Sequence, residues 1–296
     1  MLPFKKILFP VDYSPSCNGV VPYVKDMAEH FSAELTLVHA YALRPAFIHR
    51  DLEGVLVYSE AGYADPKVAG EARRTEELRL SEFAAKTFPG RYVETLVEEG
   101  EAATVIHRVL VHQGADLVMM PTRGCGVLRR FLLGSVTAKV LHDTSVAVWT
   151  GVGAAIASHT PAVPYKSILC ALDETEEAEA VLRGAAAMAT SYHADLTLLH
   201  VLEMPVGAPE LDFSAYRKDL IEASQARLRD LKARLNLEAP DVVVAAAIPD
   251  GITQEVIARK ADLVVVGRGH DQGVFSRIWS RLYAIVRDSP CPVLSI

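Results

Sequence analysis

The stretches GADLVMMPTRG (residues 114–124) and KADLVVVGRG (residues 260–269) are two copies of one pattern, in which a short apolar run follows an aspartate and stops at Pro or Gly. Runs of this length between such breaks are typical of a buried strand in a parallel sheet. The Pro or Gly indicates a turn at the end of the strand. Because the pattern occurs once in each half of the chain, it indicates a duplicated unit.

Four further pairs of segments occur in the same order along the chain. They are KKILFPVD (5–12) with YKSILCALD (165–173), AELTLVHAY (33–41) with ADLTLLHVL (194–202), GVLRRF (126–131) with GVFSRI (273–278), and VLHDTSVAVW (140–149) with IVRDSPCPVL (285–294). Between the copies lies GVGAAIASHTPAVP, a small-residue, Pro-containing stretch typical of a linker. We therefore predict a first domain over 1–150, a linker over 151–164 and a second domain over 165–296.

Composition limits the possible functions. The chain has 296 residues, 50% of them hydrophobic, and a net charge of −7, which suits two ordinary globular domains. The acidic balance argues against nucleic acid as a partner, and no apolar run approaches the ~20 residues of a membrane helix. Four scattered cysteines fit a reducing compartment. We expect a cytoplasmic protein with no nucleic-acid or membrane partner.

Each copy alternates apolar runs with longer helical patterns. In the first copy the predicted strands are 5–10, 34–40, 91–98, 116–120 and 145–149. Helices are predicted after Ser14-Pro15, an N-cap followed by an N1 proline, near 70–87, and over 101–110; Pro22 predicts a kink in the first. The alternation predicts an α/β fold, with a five-stranded, mainly parallel sheet per copy and helices on both faces. Residues 41–66 are interpreted as a loop or lid over the sheet edge.

Residues of the first copy that can hold a nucleotide follow the predicted strands. Small residues at Gly124 and Gly134, with Ser135 at a helix start, let backbone N–H groups approach phosphate oxygens. Asp12, at the end of the first strand, can accept a hydrogen bond from ribose hydroxyls. The alternative interpretation is purely structural, with the glycines in a tight turn and Ser135 as a helix cap.

This order of segments resembles that of a tandem universal stress protein, with two such domains covering nearly the whole chain. The family's ATP-binding members carry G-x2-G-x9-G-[S/T] after the fourth strand and an Asp after the first. The resemblance implies Rossmann-like (adenine nucleotide alpha hydrolase-like) domains, ATP as ligand of the first copy, and Mg²⁺ bound with the nucleotide. Carried over by position, the implied ATP-binding residues are Pro10, Val11, Asp12, Ala40, Met120, Pro121, Gly124, Gly134, Ser135, Val136 and Thr137.

The chain departs from the family motif at two places. Pro121 stands at the first glycine of the motif; a lost uncharged hydrogen bond costs about 1 kcal/mol, which predicts a weakened but working site. In the second copy no Gly-Ser pair opens the last helix, and the bulky Trp279 stands in RIWSRLYAIV (277–286). That copy is therefore predicted not to bind nucleotide; Arg281 there is interpreted as a solvated side chain, with anion binding as the alternative. The residues retained in this degenerate second site are Asp173, Val201, Gly267 and Gly269.

Two functions of different classes remain open. The first is an ATP-binding regulatory protein of the stress response with little or no hydrolysis, since no residue is an evident base for activating water. The second is an interaction scaffold that binds no nucleotide. His39 and His200, at equivalent positions, are interpreted as hydrogen-bonding residues of the sheet rather than catalytic ones. The family commonly dimerises through its last strand, so the resemblance implies internal pairing of SVAVW (145–149) with CPVLSI (291–296), a possible homodimer and a regulatory protein partner.

Overall fold

The structure is a computed structural model that describes residues 2–42, 48–50, 56–58, 66–123, 133–151, 163–173, 175–203, 214–268 and 277–296. In the first half the elements are β1 (Lys6–Pro10), α1 (Pro15–His30), β2 (Glu34–Tyr41), β3 (Ile48–Arg50), β4 (Leu56–Tyr58), α2 (Pro66–Thr87), β5 (Glu94–Glu99), α3 (Ala102–Gln113), β6 (Leu117–Pro121), α4 (Ser135–Asp143) and β7 (Ala147–Gly151). In the second half they are β8 (Ser167–Leu172), α5 (Ala178–Tyr192), β9 (Asp195–Leu202), α6 (Ser214–Leu235), β10 (Asp241–Ala245), α7 (Ile248–Arg259), β11 (Leu263–Val266), α8 (Arg277–Asp288) and β12 (Val293–Ser295).

Both halves contribute to one ten-stranded sheet in the order β10-β9-β8-β11-β12-β7-β6-β1-β2-β5. The strands that each half contributes to this sheet are parallel to one another, and the two halves meet where β7 pairs antiparallel with β12. The α/β fold predicted from the sequence is confirmed. In each half the chain reverses its winding direction beside the first strand, which leaves a crevice beyond the carboxyl ends of β1 and β6 and another beyond those of β8 and β11.

The repeated aspartate of the opening pattern explains how β6 and β11 are aligned. The Asp116 carboxylate accepts hydrogen bonds from the backbone N–H of Lys5 (2.8 Å) and of Lys6 (3.1 Å) at the start of β1. Asp262 accepts the same pair of bonds from residues 166 and 167, at 2.7 and 3.1 Å. Each aspartate therefore joins the amino ends of two neighbouring strands, which fixes where their carboxyl ends finish.

Two apolar layers cover the two faces of the sheet. Ile7 and Phe9 of β1 pack in the layer that contains α1 and α2, whereas Leu8 packs in the layer of α3 and α4. Each layer continues into the second half, through α5 and α6 on one face and α7 and α8 on the other. Because the layers extend across both halves, the core is shared between them.

The junction between the halves is also polar. The buried Arg268 guanidinium, which follows β11, donates to the backbone carbonyls of Thr144 (2.7 Å), Val146 and Ser295 (3.2 Å). Trp149 Nε1 donates to Tyr165 Oη at 2.9 Å, and both side chains are fully buried. Burial lowers the pKa of Arg268 to about 10.

Some local predictions differ from the structure. α1 runs from Pro15 to His30 with Pro22 inside it, because the packing of its buried face outweighs the one backbone hydrogen bond that proline removes; the kink at Pro22 stays a prediction. The third strand begins at residue 94 rather than 91, and the segment predicted as a loop over 41–66 contains the antiparallel pair β3–β4. In the part of the chain described, no helix has the length and apolar character to span a membrane.

Candidate functional site

The end of β1 forms one side of the crevice in the first half. The backbone N–H of Val11 donates to Val38 O of β2 at 2.8 Å, so the chain stays extended to Asp12. The Asp12 carboxylate accepts from the Ser14 N–H at 2.9 Å, and Ser14 Oγ in turn accepts from the Cys17 N–H at 3.0 Å as the N-cap of α1. These turns hold the exposed Asp12 carboxylate at the edge of the crevice.

The start of α4 is tied to the end of β6. The Gly134 N–H donates to Thr122 O at 2.9 Å, and Thr137 Oγ1 donates to Pro121 O at 3.0 Å. A Cβ at Gly134 would lie 3.3 Å from Thr122 O, so the glycine permits this close approach. These two bonds hold the start of α4 against the end of β6, so the helix begins beside the crevice.

The first turn of α4 has the geometry of an anion site. The first intrahelical hydrogen bond recorded there is donated by the N–H of Ala138 to Gly134 O. The N–H groups of residues 135–137 precede that bond and have no acceptor within the helix. They carry the positive end of the helix dipole, which favours a phosphate oxygen. Ser135 is exposed there, whereas Thr137 is buried and structural.

Pro121 occupies the last position of β6, in register with Gly151 of β7. The N–H of the next residue, Thr122, donates to Gly151 O at 2.9 Å. Because backbone groups of a parallel strand alternate between its two neighbours, the nitrogen of residue 121 faces β1 instead. The recorded pairing of β1 with β6 covers only Ile7 and Leu8, so this nitrogen faces the crevice. The missing N–H of Pro121 therefore breaks no sheet hydrogen bond.

A polar cluster behind Asp12 was not predicted from the sequence. His39 Nδ1 donates to Val11 O at 2.7 Å, and its Nε2 lies 3.5 Å from Glu76 Oε2 on α2. The Tyr13 ring packs between His39 and Arg79, whose guanidinium carbon is 3.9 Å from the ring centroid. Burial raises the pKa of Tyr13 to about 12, although Arg79 opposes the shift. The hydrogen-bonding interpretation of His39 agrees with this contact.

The second half repeats part of this arrangement. The Asp173 carboxylate accepts from Thr175 Oγ1 at 2.6 Å, as Asp12 accepts from the residue two positions later. His200 Nδ1 donates to Leu172 O at 2.9 Å, as His39 does to Val11. A Cβ at Gly267 would lie 3.0 Å from Val181 Cγ2, so this glycine permits close packing on α5.

A cavity of about 350 Å³ lies at the carboxyl ends of β8, β9 and β11. Of the residues predicted for the degenerate second site, Asp173, Val201 and Gly267 line it. Its other lining residues are mostly apolar, with Glu203, Arg227, Arg268 and Arg281 among the charged ones. The second copy is predicted not to bind nucleotide, and the cavity there has the size that small molecules occupy, about 300–1,000 Å³.

The predicted site residues of the first half converge as follows. Those among the described residues lie at the carboxyl edge of β1, β2 and β6 or in the first turn of α4. They are Pro10, Val11, Asp12, Ala40, Met120, Pro121, Gly134, Ser135, Val136 and Thr137. Gly124 and Gly269 lie outside the described residues, and so does Cys125, which from its place between two glycines is interpreted as an incidental loop thiol, with a redox-sensing role as the alternative. Within the described ranges, no group of His, Cys, Asp and Glu forms a metal centre.

Comparisons with known proteins agree with the duplicated architecture. A model of the universal stress protein family matches residues 3–150 and again residues 164–296. A protein of Thermus aquaticus, described as a universal stress protein in QAH/OAS sulfhydrylase 3'region, is 29% identical over 140 residues, which are 47% of this chain and 93% of that relative.

Solved structures match over nearly the whole chain. A universal stress protein from Archaeoglobus fulgidus superposes with a TM-score of 0.65 at 19% identity, covering 98% of this chain and 95% of its own. A functionally unknown protein from Pseudomonas aeruginosa superposes with a TM-score of 0.66 at 15% identity, covering 99% and 92%. At these identities the similarity establishes the fold.

Proposed function

The chain belongs to the universal stress protein family, and on that premise we propose that its first half binds ATP as a regulatory signal in the stress response, with little or no hydrolysis. The observation that carries the proposal is the base of the β6–α4 loop. There Gly134 and Thr137 are bonded to the end of β6, so the first turn of α4 begins beside the crevice that Asp12 borders.

Each part of the nucleotide has a matching group in this crevice. The Asp12 carboxylate is placed to accept from ribose hydroxyls, as acidic residues do in other nucleotide sites. The free N–H groups of residues 135–137 and the Ser135 hydroxyl are donors for phosphate oxygens. Val11, Ala40 and Met120 supply apolar and backbone surface for adenine. Mg²⁺ would be held by the phosphates themselves and would neutralise part of their charge.

A regulatory role fits the chemistry of the crevice better than turnover. His39 is the imidazole closest in sequence to the predicted adenine contact, and its Nδ1 is engaged with Val11 O while its Nε2 faces Glu76. Neither nitrogen is therefore free to act as a base for water. We propose that nucleotide occupancy changes the surface around α4, which a cytoplasmic protein partner or a second copy of the chain then binds.

The proposal is tested by the nucleotide content of purified protein. The protein is denatured, the released nucleotides are separated by chromatography, and binding of MgATP is measured by titration calorimetry. We expect one ATP per chain, lost in Ser135→Asp, because the new carboxylate would stand against the phosphates. Ser81→Asp, the same change on the exposed surface of α2, is the control and is expected to retain binding.

Two results would contradict this function. Absence of binding at millimolar MgATP would favour the scaffold, in which the chain acts through its surface alone. Binding that survives Ser135→Asp would place the phosphates elsewhere than the first turn of α4.

A further inference from the structure

The cavity of the second half has an apolar interior. Its floor is formed by the ends of three strands, and α6, α7 and α8 contribute its walls. The apolar side chains that line it are Ala171, Leu172, Val201, Leu202, Leu220, Ile248, Ile252, Val266, Leu282 and Ile285. A pocket lined in this way favours an apolar group of a small molecule, with specificity supplied by the few polar groups around it.

The charged lining of this cavity differs from the phosphate site proposed for the first half. The chain has no Gly-Ser pair at the start of α8, and the Asp173 and Glu203 carboxylates both line the space. Arg268, which also reaches the lining, donates its hydrogen bonds to carbonyls of the junction between the halves. The lining therefore carries charges of both signs, with Arg227 and Arg281 beside the two carboxylates, and lacks the Gly-Ser pair of the phosphate site proposed for the first half.

Charges of both signs meet at the solvent side of the cavity. Glu203, which follows β9, forms an ion pair with Arg281 of α8. The two side chains are 51% and 42% exposed, and an ion pair so exposed contributes only about 0–1 kcal/mol to stability. A ligand can therefore separate the pair at small cost if it supplies a partner for each charge.

We propose that this cavity binds the zwitterion of an apolar α-amino acid. Its carboxylate pairs with Arg281, its ammonium group pairs with Glu203, and its side chain enters the apolar interior beside Ile252 and Ile285. An amphipathic acid would pair with Arg281 and place its carboxylate near Glu203. An apolar amine would pair with Glu203 and place its ammonium group near Arg281. The zwitterion replaces the exposed Glu203–Arg281 ion pair with two.

The test uses titration calorimetry of the full chain with L-leucine and L-phenylalanine as probes. N-acetyl-L-leucine lacks the ammonium charge, and L-leucinamide lacks the carboxylate. We expect one leucine or phenylalanine site per chain and a loss of about tenfold or more for each analogue, because each forfeits a charge-assisted hydrogen bond. N-acetyl-L-leucine binding as tightly as leucine would overturn the proposal in favour of an anion site, and so would failure of both amino acids to bind at millimolar concentration.

Two variants assign each charge to its partner. Glu203→Gln is expected to weaken leucine binding and to remove the discrimination against N-acetyl-L-leucine, whereas Arg281→Gln is expected to remove the discrimination against L-leucinamide. Arg183→Gln breaks another exposed ion pair of this half, with Glu179, and is the control expected to bind as the parent does. Unfolding midpoints identify any variant that has lost its fold. Folded variants that all bind leucine with unchanged affinity and selectivity would overturn the proposal.

Discussion

At the scale of single residues, Pro121 shows how a motif can lose a glycine and keep its geometry. The position is buried, extended and at the end of β6, where φ near −65° is compatible with the strand. Its nitrogen faces the crevice rather than β7, so the sheet does not need an N–H there. What the proline removes is a donor that a ligand would meet.

Replacing this proline tests that interpretation. Pro121→Gly is expected to raise the affinity for MgATP about fivefold, because one restored uncharged hydrogen bond contributes about 1 kcal/mol. The same change should lower the free energy of unfolding by about 0.4–1 kcal/mol, since glycine gives the unfolded chain more freedom. Calorimetry and urea unfolding measure the two effects.

Pro89→Gly, just after α2, is the matched control and should change only stability. An affinity that stays the same in Pro121→Gly, in a protein that still binds MgATP, would mean that the ligand does not approach the nitrogen of residue 121.

At the scale of secondary-structure elements, the sequence predicts the architecture better than the boundaries. The apolar runs of β1, β2, β6 and β7 are distinct because these strands are buried, and they were placed to within about two residues. β5 is half-buried at the edge of the sheet, so its pattern is weaker and its start was misplaced by three residues, 91 against 94.

Some residues of the candidate site could be predicted from the sequence, and others could not. Asp12 and Gly134-Ser135 could be predicted because the residues that define their geometry are close in sequence. Glu76 and Arg79 could not, because they reach His39 and Tyr13 from α2, across a long segment that carries no pattern of its own. The cavity of the second half likewise depends on how three helices cover strand ends, which no local motif records.

The contact between α3 and α4 gives a prediction at this scale. Glu101 is the N-cap of α3: its carboxylate accepts from the N–H of Ala103 (3.1 Å) and of Thr104 (3.0 Å), and from Lys139 Nζ of α4 at 3.1 Å. Hydrogen bonds from Thr104, then Lys139, lower the pKa of Glu101 to about 2. Its stabilising effect is therefore present above the ordinary glutamate pKa near 4.5 and is lost as the pH falls towards 2.

Glu101→Ala should lower the free energy of unfolding at neutral pH by about 0.5–1 kcal/mol, the low end for a lost N-cap because the group is exposed. The difference from the parent should shrink as the pH falls from 4.5 towards 2, which urea unfolding at several pH values measures. The exposed Glu238→Ala is the control. A difference that stays constant down to the lowest pH would rule out the carboxylate charge as its source.

At the scale of the whole molecule, the two halves of the duplicated chain share one continuous sheet. β7 and β12 close each other's edges, which removes two apolar strands from solvent. Arg268 of the second half satisfies two carbonyls at the start of β7, and both apolar layers cross the junction. Because so much of the core is shared, we expect the halves to unfold together.

α1 of the first half and α5 of the second are also joined by a titratable contact. Tyr192 Oη donates to Asp26 Oδ2 at 2.7 Å, and the His30 ring stacks on Tyr192 with centroids 3.8 Å apart. Burial raises the pKa of Asp26 above its ordinary value of 3.8, although the Tyr192 hydrogen bond and His30 oppose the shift. The folded protein therefore binds this proton more tightly than the unfolded chain does.

This contact predicts how the stability of the junction depends on pH. Between 3.8 and the raised pKa of Asp26 the native state holds more of the Asp26 proton than the unfolded chain does, so the contribution of this group to the free energy of unfolding should fall as the pH rises, opposite in sign to that of Glu101. Burial raises the pKa of Asp262 as well, which adds to the same slope. Asp26→Asn keeps an acceptor for Tyr192 and removes the titration, so relative to the parent it should lose this falling contribution and keep that of Asp262.

Urea unfolding across this pH range, followed by the fluorescence of the buried Trp149, measures the slope for the parent, for Asp26→Asn and for the exposed control Asp219→Asn. The control should keep the parental slope, because it removes an exposed carboxylate outside the contact between α1 and α5. A parental slope in Asp26→Asn would mean that α1 and α5 meet without a proton-linked contact, and that the junction depends on the β7–β12 pairing, the shared apolar layers and the hydrogen bonds of Arg268 and Trp149.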